Sequence, residues 1–197
     1  MQRFQKIIFA LTATLSLGFT GCQTVKKPAQ TSPTLGNAEL NSSVNQFYLT
    51  GKIGIKTPQQ SGSAFYTWEQ NQDTFNIQLN GVLGIGKTII EGRNGSVQLN
   101  SSKTGLITAT TPEELLERAT GWVAPITHIV DWVQAHPATQ QAQVKKDASQ
   151  RIVEIDEDHW NVVLSYDDQA QLPNKLFLKQ QLTDGQENRI TMLIQNR

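Results

Sequence analysis

The sequence predicts a mainly β protein, an incompletely closed antiparallel barrel of about ten strands covered by about three short helices. Apolar residues alternate with period two in short segments from residue 47 onward, Gly- and Asn-containing turns separate those segments, and only brief stretches switch to helical spacing. Short strands joined by tight turns favour a meander over parallel βαβ units, whose crossovers are long. Lys and Arg balance Asp and Glu at 17 each, so no basic surface points to nucleic acid.

Residues 1–21 read as an export signal. Arg3 and Lys6 give a positive start, residues 7–19 give a short apolar core, and Phe19-Thr20-Gly21-Cys22 closes it before the chain's single cysteine. Phe19 stands where the lipobox pattern usually has Leu. The apolar run is shorter than the roughly 20 residues needed to cross a bilayer core of about 30 Å, so cleavage before Cys22 is expected. A cysteine there is a lipid acceptor, and its several acyl chains anchor a protein stably at a membrane. Gln23 is not the Asp that marks inner-membrane retention, which leaves the outer membrane as the expected location.

Residues 22–37 carry Lys, Pro, Thr, Ser and Gly with almost nothing to bury and read as a flexible linker; residues 38–197 form the folded domain. Asn37 can cap a short helix over residues 38–46, with Leu40 and Val44 at i, i+4 spacing. Phe47, Leu49, Gly51, Ile53 and Ile55 then form one face of a strand. Further strands are expected over residues 63–70, 74–80, 87–91, 96–101 and 105–110. Thr111-Pro112-Glu113-Glu114 is a helix start, with a capping Thr, a Pro that needs no donor and acids facing the positive helix end; Leu115, Leu116 and Ala119 follow, and Gly121 stops it. After Pro125, Ile126, Ile129, Val130 and Val133 recur at helical spacing beside Trp132 until Pro137. Strands resume over residues 151–156, 160–166, 175–180 and 189–195.

A long meander has unpaired edges and an apolar concave face, which helices inserted mid-chain can cover. Leu49, Ile53, Phe75, Ile77, Leu79, Val162 and Leu164 then face the interior, as filled core or as cavity wall. The pattern does not choose between the two.

Residues 81–88, Gly-Val-Leu-Gly-Ile-Gly-Lys-Thr, match the phosphate-binding pattern G-x-x-x-x-G-K-[ST]. That loop needs a helix after it to cradle phosphates. Here β-branched Thr88, Ile89 and Ile90 lead into two glycines, which reads as strand and turn, so a nucleotide hydrolase using Lys87 and Thr88 ranks below both a lipid-binding protein and a lipid-anchored scaffold with a filled core. His128, His136 and His159 lack metal-ligand spacing, no nucleophile elbow occurs, and the sole cysteine is committed to the anchor. No enzyme activity, cofactor or metal is expected.

Several segments together resemble the LolB family of outer-membrane lipoprotein receptors: Gly51-Lys52-Ile53-Gly54-Ile55, Ser61-Gly62-Ser63-Ala64, the aromatic strand to Trp68, Leu79-Asn80-Gly81-Val82-Leu83-Gly84, and Gly121-Trp122-Val123-Ala124-Pro125-Ile126 with Trp132-Val133. Two departures are visible: Gly81-Val82 precedes the Leu where members often have Pro, and a Trp near the C-terminus is missing. The resemblance implies an open antiparallel β half-barrel of ten to eleven strands with a helical lid. It implies a monomer that accepts lipoproteins by their acyl chains from a soluble periplasmic, LolA-like carrier and inserts them into outer-membrane lipid without nucleotide hydrolysis. Leu83 would project from its turn and help delivery. Trp68, Leu115, Trp122, Ile129 and Trp132 join the seven interior residues above as candidate walls of the acyl-chain cavity.

Overall fold

Alternation in the sequence becomes a single sheet in the computed structural model, which describes residues 45–81 and 86–197. In chain order the elements are β1 (Gln46–Lys56), β2 (Ser61–Asn71), β3 (Thr74–Asn80), β4 (Thr88–Arg93), β5 (Ser96–Ser101), β6 (Gly105–Ala109), α1 (Pro112–Thr120), α2 (Ile126–Trp132), β7 (Gln143–Lys146), β8 (Ile152–Glu157), β9 (Trp160–Ser165), β10 (Lys175–Gln181) and β11 (Glu187–Asn196). All eleven strands are hydrogen-bonded in the order β6-β5-β4-β3-β2-β1-β11-β10-β9-β8-β7. Each strand pairs with its sequence neighbour except at the centre, where β1 meets β11 antiparallel, and at the open edges. The edges are β6 and β7, and the helical segment is the link between them. The cover predicted from the mid-chain helices is thus a strap that runs from one edge of the sheet to the other.

The β1–β11 seam has a bulge between Thr50 and Gly51. A side chain at residue 51 would collide with the Leu193 backbone carbonyl, which is why glycine stands there. The Tyr66 hydroxyl donates to the same carbonyl at 3.2 Å. Burial pushes the Tyr66 pKa up to about 12 against the nearby Arg197 charge, so the phenol remains a donor at neutral pH.

Helix α1 starts and stops as its sequence predicts. Thr111 Oγ1 accepts from Glu114 N at 3.1 Å, and Gly121, at φ +79°, donates its N–H to Glu117 O at 2.8 Å. The Glu113 carboxylate accepts from Thr127 N at 2.8 Å and from its hydroxyl at 2.9 Å, tying the start of α1 to that of α2. Helix α2 is shorter than expected. It ends at Trp132 instead of continuing to Pro137, because residues 133–135 turn and Ala135 takes φ +59°. Glu157 of β8 pins this end: its carboxylate accepts from Trp132 Nε1, from Ala138 N at 2.9 Å and from Thr139 N at 2.8 Å. Burial alone would raise the Glu157 pKa, but those donors outweigh it and hold the carboxyl below its ordinary value. Arg197 adds bonds to Val133 O at 3.0 Å and Pro173 O at 2.8 Å.

Two expectations differ at the boundaries. Strand β7, Gln143-Val-Lys-Lys, was not legible as a strand because all four residues are exposed and no apolar face marks it. Its lysines protect a sheet edge. The helix expected over residues 38–46 lies outside the described residues except at its end, where Asn45 is in a turn and Gln46 already opens β1.

Candidate functional site

The inner face of the sheet is unevenly covered. In β9, β10 and β11 the inward residues Val162, Leu164, Leu176, Leu178, Ile190 and Met192 are all buried, and with Leu49, Ile155, Trp132 and Val133 they make one packed core under α2. In β3 the same alternation continues, yet Phe75, Ile77 and Leu79 are only half-buried, as is Ile90 opposite Ile77 in β4. Half of the sheet is filled by its own side chains. The other half has only a smaller cluster, Val97, Leu99 and Leu115 with Phe75 and Ile90 packed against it, and stays partly open.

The space left over is a narrow apolar cleft of about 130 Å³ that opens to solvent. Sheet residues Ile53, Ile55, Tyr66, Trp68, Phe75, Ile77, Leu79, Ile90 and Leu99 form one wall. Pro112, Leu115, Leu116, Trp122, Ala124, Ile126 and Ile129 of the strap form the other, with Ile190 and Met192 at the border with the core. No charged side chain is among them. Two polar groups of the aromatic lining are already used: Tyr66 bonds Leu193 O, and Trp68 Nε1 donates to Gln70 Oε1 at 2.9 Å, while Gln70 Nε2 donates to Gln72 O at 2.7 Å. Phe47 packs edge-on against Trp68 at 5.3 Å between ring centroids and fixes its ring against the cleft.

The cleft continues in both directions along the strands. Toward Gly81 and Gly86 it opens between Ala64, Leu79, Thr88, Ser101, Leu116 and Thr120. Toward the β2–β3 turn it becomes polar, with Asn45, Gln70, Gln72, Asp73, Asn94 and Asp131. Burial holds the Asp131 carboxyl above its ordinary pKa, although His136 and His128 pull it down. The predominance of apolar and aromatic lining with few polar groups suits an apolar ligand.

Of the twelve candidate wall residues, eight are brought together here: Ile53, Trp68, Phe75, Ile77, Leu79, Leu115, Trp122 and Ile129. Leu49, Trp132, Val162 and Leu164 do not line the cleft; at 0%, 0%, 0% and 3% exposure they are packed in the core. The sequence pattern missed Ile55, Tyr66, Ile90, Leu99, Leu116, Ile190 and Met192. Ile55 and Tyr66 could have been found two residues from Ile53 and Trp68, and Ile90 and Leu99 from hairpin pairing, since Ile77 opposes Ile90 and Ile90 opposes Leu99. Leu83 and Cys22 lie outside the described residues; Gly81 and Gly86, the described residues that flank Leu83 in sequence, lie at one end of the cleft. Thr88 is the first residue of β4, so the phosphate-loop pattern leads into a strand, as its β-branched residues predict.

Fold and cleft together define a class, the open antiparallel half-barrel with an apolar groove under a helical strap. Within that class the chain belongs to the LolB family: the family described as "Outer membrane lipoprotein LolB" matches residues 45–196. It is similar to the outer-membrane lipoprotein LolB of Pseudomonas savastanoi pv. phaseolicola, at 34% identity over 196 residues, covering 96% of this chain and 93% of the relative. The relative of the same name in Pseudomonas putida is 34% identical over the same shares of both chains. That of Stutzerimonas stutzeri is 32% identical over 94% of this chain and 93% of its own.

Proposed function

We propose that this protein takes lipoproteins from a soluble LolA-like periplasmic carrier, holding their acyl chains in the cleft between β1–β5 and the helical strap, and releases them into the outer membrane. As a member of the LolB family it is an outer-membrane lipoprotein receptor and not an enzyme. The observation that carries the acyl-chain site is the partly open half of the sheet, where Phe75, Ile77, Leu79 and Ile90 stay half-buried beside an uncharged groove that the smaller core cluster does not close. The packed half disfavours the scaffold alternative, because a sheet that can bury one half so fully has no structural need to leave the other open.

Magnitudes explain why a receptor is needed. At about 0.8 kcal/mol per buried CH₂, three acyl chains with some 45 methylenes carry roughly 35 kcal/mol of transfer free energy. Such a ligand does not cross water free, so it passes mouth to mouth from a carrier cavity to one that holds it better. Rising affinity along the route drives that step without nucleotide. For the last step the receptor would meet the bilayer through a lipid on Cys22, with residues 22–37 as the link to the domain, and through Leu83, whose sequence neighbours Gly81 and Gly86 lie at one end of the cleft.

The test is to load purified carrier with a labelled lipoprotein, mix it with this protein, separate the two and follow the label. Movement onto this protein in the absence of ATP supports the proposal. Retention on the carrier under all conditions contradicts it.

A further inference from the structure

The outer face of the sheet carries a pattern of its own. Gly51, Tyr66, Met192 and Leu176 are buried on the inner side, so their chain neighbours Lys52, Phe65, Leu193 and Lys175 stand on the outer side, and all four are exposed. Strand pairing sets them in one row: Phe65 opposes Lys52, Lys52 opposes Leu193, and Leu193 opposes Lys175. Apolar and cationic side chains thus alternate across β2, β1, β11 and β10, over about 14 Å at the usual strand spacing. Phe65 is 58% exposed and Leu193 41%, and the Lys52 ammonium lies 5.9 Å from the Phe65 ring centroid. Further along the strands Phe177 opposes the exposed Val163, and Lys56, Arg189 and Lys179 form a second row.

Charge on this face is one-sided. The outward residues of the four strands include the cations Lys52, Lys56, Lys175, Lys179 and Arg189 against two acids, Glu69 and Glu187. Glu187 is already shared by Lys179, at 3.8 Å, and Arg189. Among the described residues Lys52, Lys56 and Lys175 pair with no carboxylate. The chain as a whole balances 17 basic against 17 acidic side chains, so the basic face is a local asymmetry that attracts an anionic partner.

Three observations choose that partner. A carrier that passes cargo mouth to mouth has to reach the cleft, which lies on the other side of the sheet. Protein interfaces favour arginine, whose fork grips carboxylates, and are poor in lysine, whereas the unpaired cations here are all lysine. Lysines interleaved with exposed Phe65 and Leu193 suit a bilayer surface, where rings and aliphatic stems enter the headgroup layer and ammonium groups meet phosphates. We infer that the outer face of β2, β1, β11 and β10 docks on the anionic phospholipid headgroups of the membrane, turning the strap and cleft away from the bilayer to receive cargo. This goes beyond the acyl-chain function and rests only on the outer-membrane location of the family. Asn80, opposite Phe65, precedes Leu83 by three residues, so the docked face ends where the Leu83 segment leaves the sheet.

The full chain is incubated with vesicles of phosphatidylcholine, alone or with about one-third phosphatidylglycerol, acetylated briefly with an uncharged amine reagent, and read lysine by lysine by mass spectrometry. At roughly fivefold per lysine near an anionic surface, the three unpaired lysines together favour the docked pose about a hundredfold. On phosphatidylglycerol vesicles Lys52, Lys56 and Lys175 should therefore label at least about tenfold more slowly than on phosphatidylcholine. Lys146, on the edge strand β7, should keep its rate. At about 1 M salt, where the Debye length is about 3 Å, the difference should shrink. A chain carrying both Lys52→Gln and Lys175→Gln, two exposed positions, should dock roughly 25-fold less well and lose protection at Lys56 with an unchanged urea midpoint. Equal rates on the two kinds of vesicle, or equal slowing of Lys146, overturns the docking face and leaves the acyl-chain function standing. Purified carrier added to phosphatidylcholine vesicles is the remaining arm. Protection of these lysines by the carrier, with none from phosphatidylglycerol, assigns the face to a protein and overturns the inference; protection by phosphatidylglycerol supports it whether or not the carrier adds to it.

Discussion

Ile77→Ala and Leu178→Ala, made in separate chains, delete side chains of equal carbon count from inward-facing positions of one sheet. Leu178 is 0% exposed in the packed core. Its truncation leaves a sealed void and should cost about 2–5 kcal/mol, the transfer cost plus the cavity cost. Ile77 is half-buried at the cleft wall, where deletion only widens an existing opening. With no new void, and with part of its area already exposed, about 1 kcal/mol is expected. At a urea dependence of about 2 kcal/mol per molar, the midpoints fall by about 1–2.5 M for Leu178→Ala and by about 0.5 M for Ile77→Ala. Binding should order the two the other way. A palmitoyl ligand loses contacts at Ile77 and binds up to about tenfold more weakly there, whereas folded Leu178→Ala keeps wild-type affinity. Equal losses of stability at the two sites would refute the division of the sheet into a packed and an open half.

Three further outcomes follow from named contacts. Glu157→Gln removes the charged acceptor that pins the end of α2 and should cost about 1–3 kcal/mol at neutral pH, read from urea midpoints. Because the folded-state pKa of Glu157 lies below the ordinary 4.5, its contribution is complete above that value and fades as pH falls through the lower folded value; the gap between wild type and variant should therefore narrow below about pH 4.5. Gly51→Ala drives a methyl into the Leu193 carbonyl at the β1–β11 seam and should destabilise by about 1–3 kcal/mol or prevent folding, seen in the thermal midpoint. Leu83→Glu should leave stability within about 0.5 kcal/mol but impair delivery of lipoprotein to membranes in a vesicle-transfer assay; normal delivery would remove Leu83 from the mechanism.

Much of the architecture was readable in the sequence because each half-covered strand announces itself by period two and each turn by Gly, Asn or Asp. Phe75-Asn76-Ile77-Gln78-Leu79 became β3, and Thr111 and Gly121 bound α1. What alternation omits is what lies opposite a face. Leu49 and Ile53 point the same way from β1, yet Leu49 meets the core and Ile53 the cleft, because only the path of the strap decides which inward residues it covers. For the same reason Val162 and Phe75 were equivalent as letters and differ in the fold. Strand β7 had no apolar side to signal it, and α2 lost its last turn to a left-handed Ala135 that a helical pattern does not anticipate.

The four tryptophans give the most direct measurement of where acyl chains sit. Trp68 and Trp122 line the cleft, whereas Trp132 and Trp160 belong to the packed core and do not. In chains retaining one tryptophan each, a palmitoyl ligand brominated along its chain should strongly quench the fluorescence of Trp68 and Trp122 and leave Trp132 and Trp160 nearly unchanged. Equal quenching of all four, or of none while the ligand is bound, would contradict hydrocarbon binding between the open half of the sheet and its helical strap.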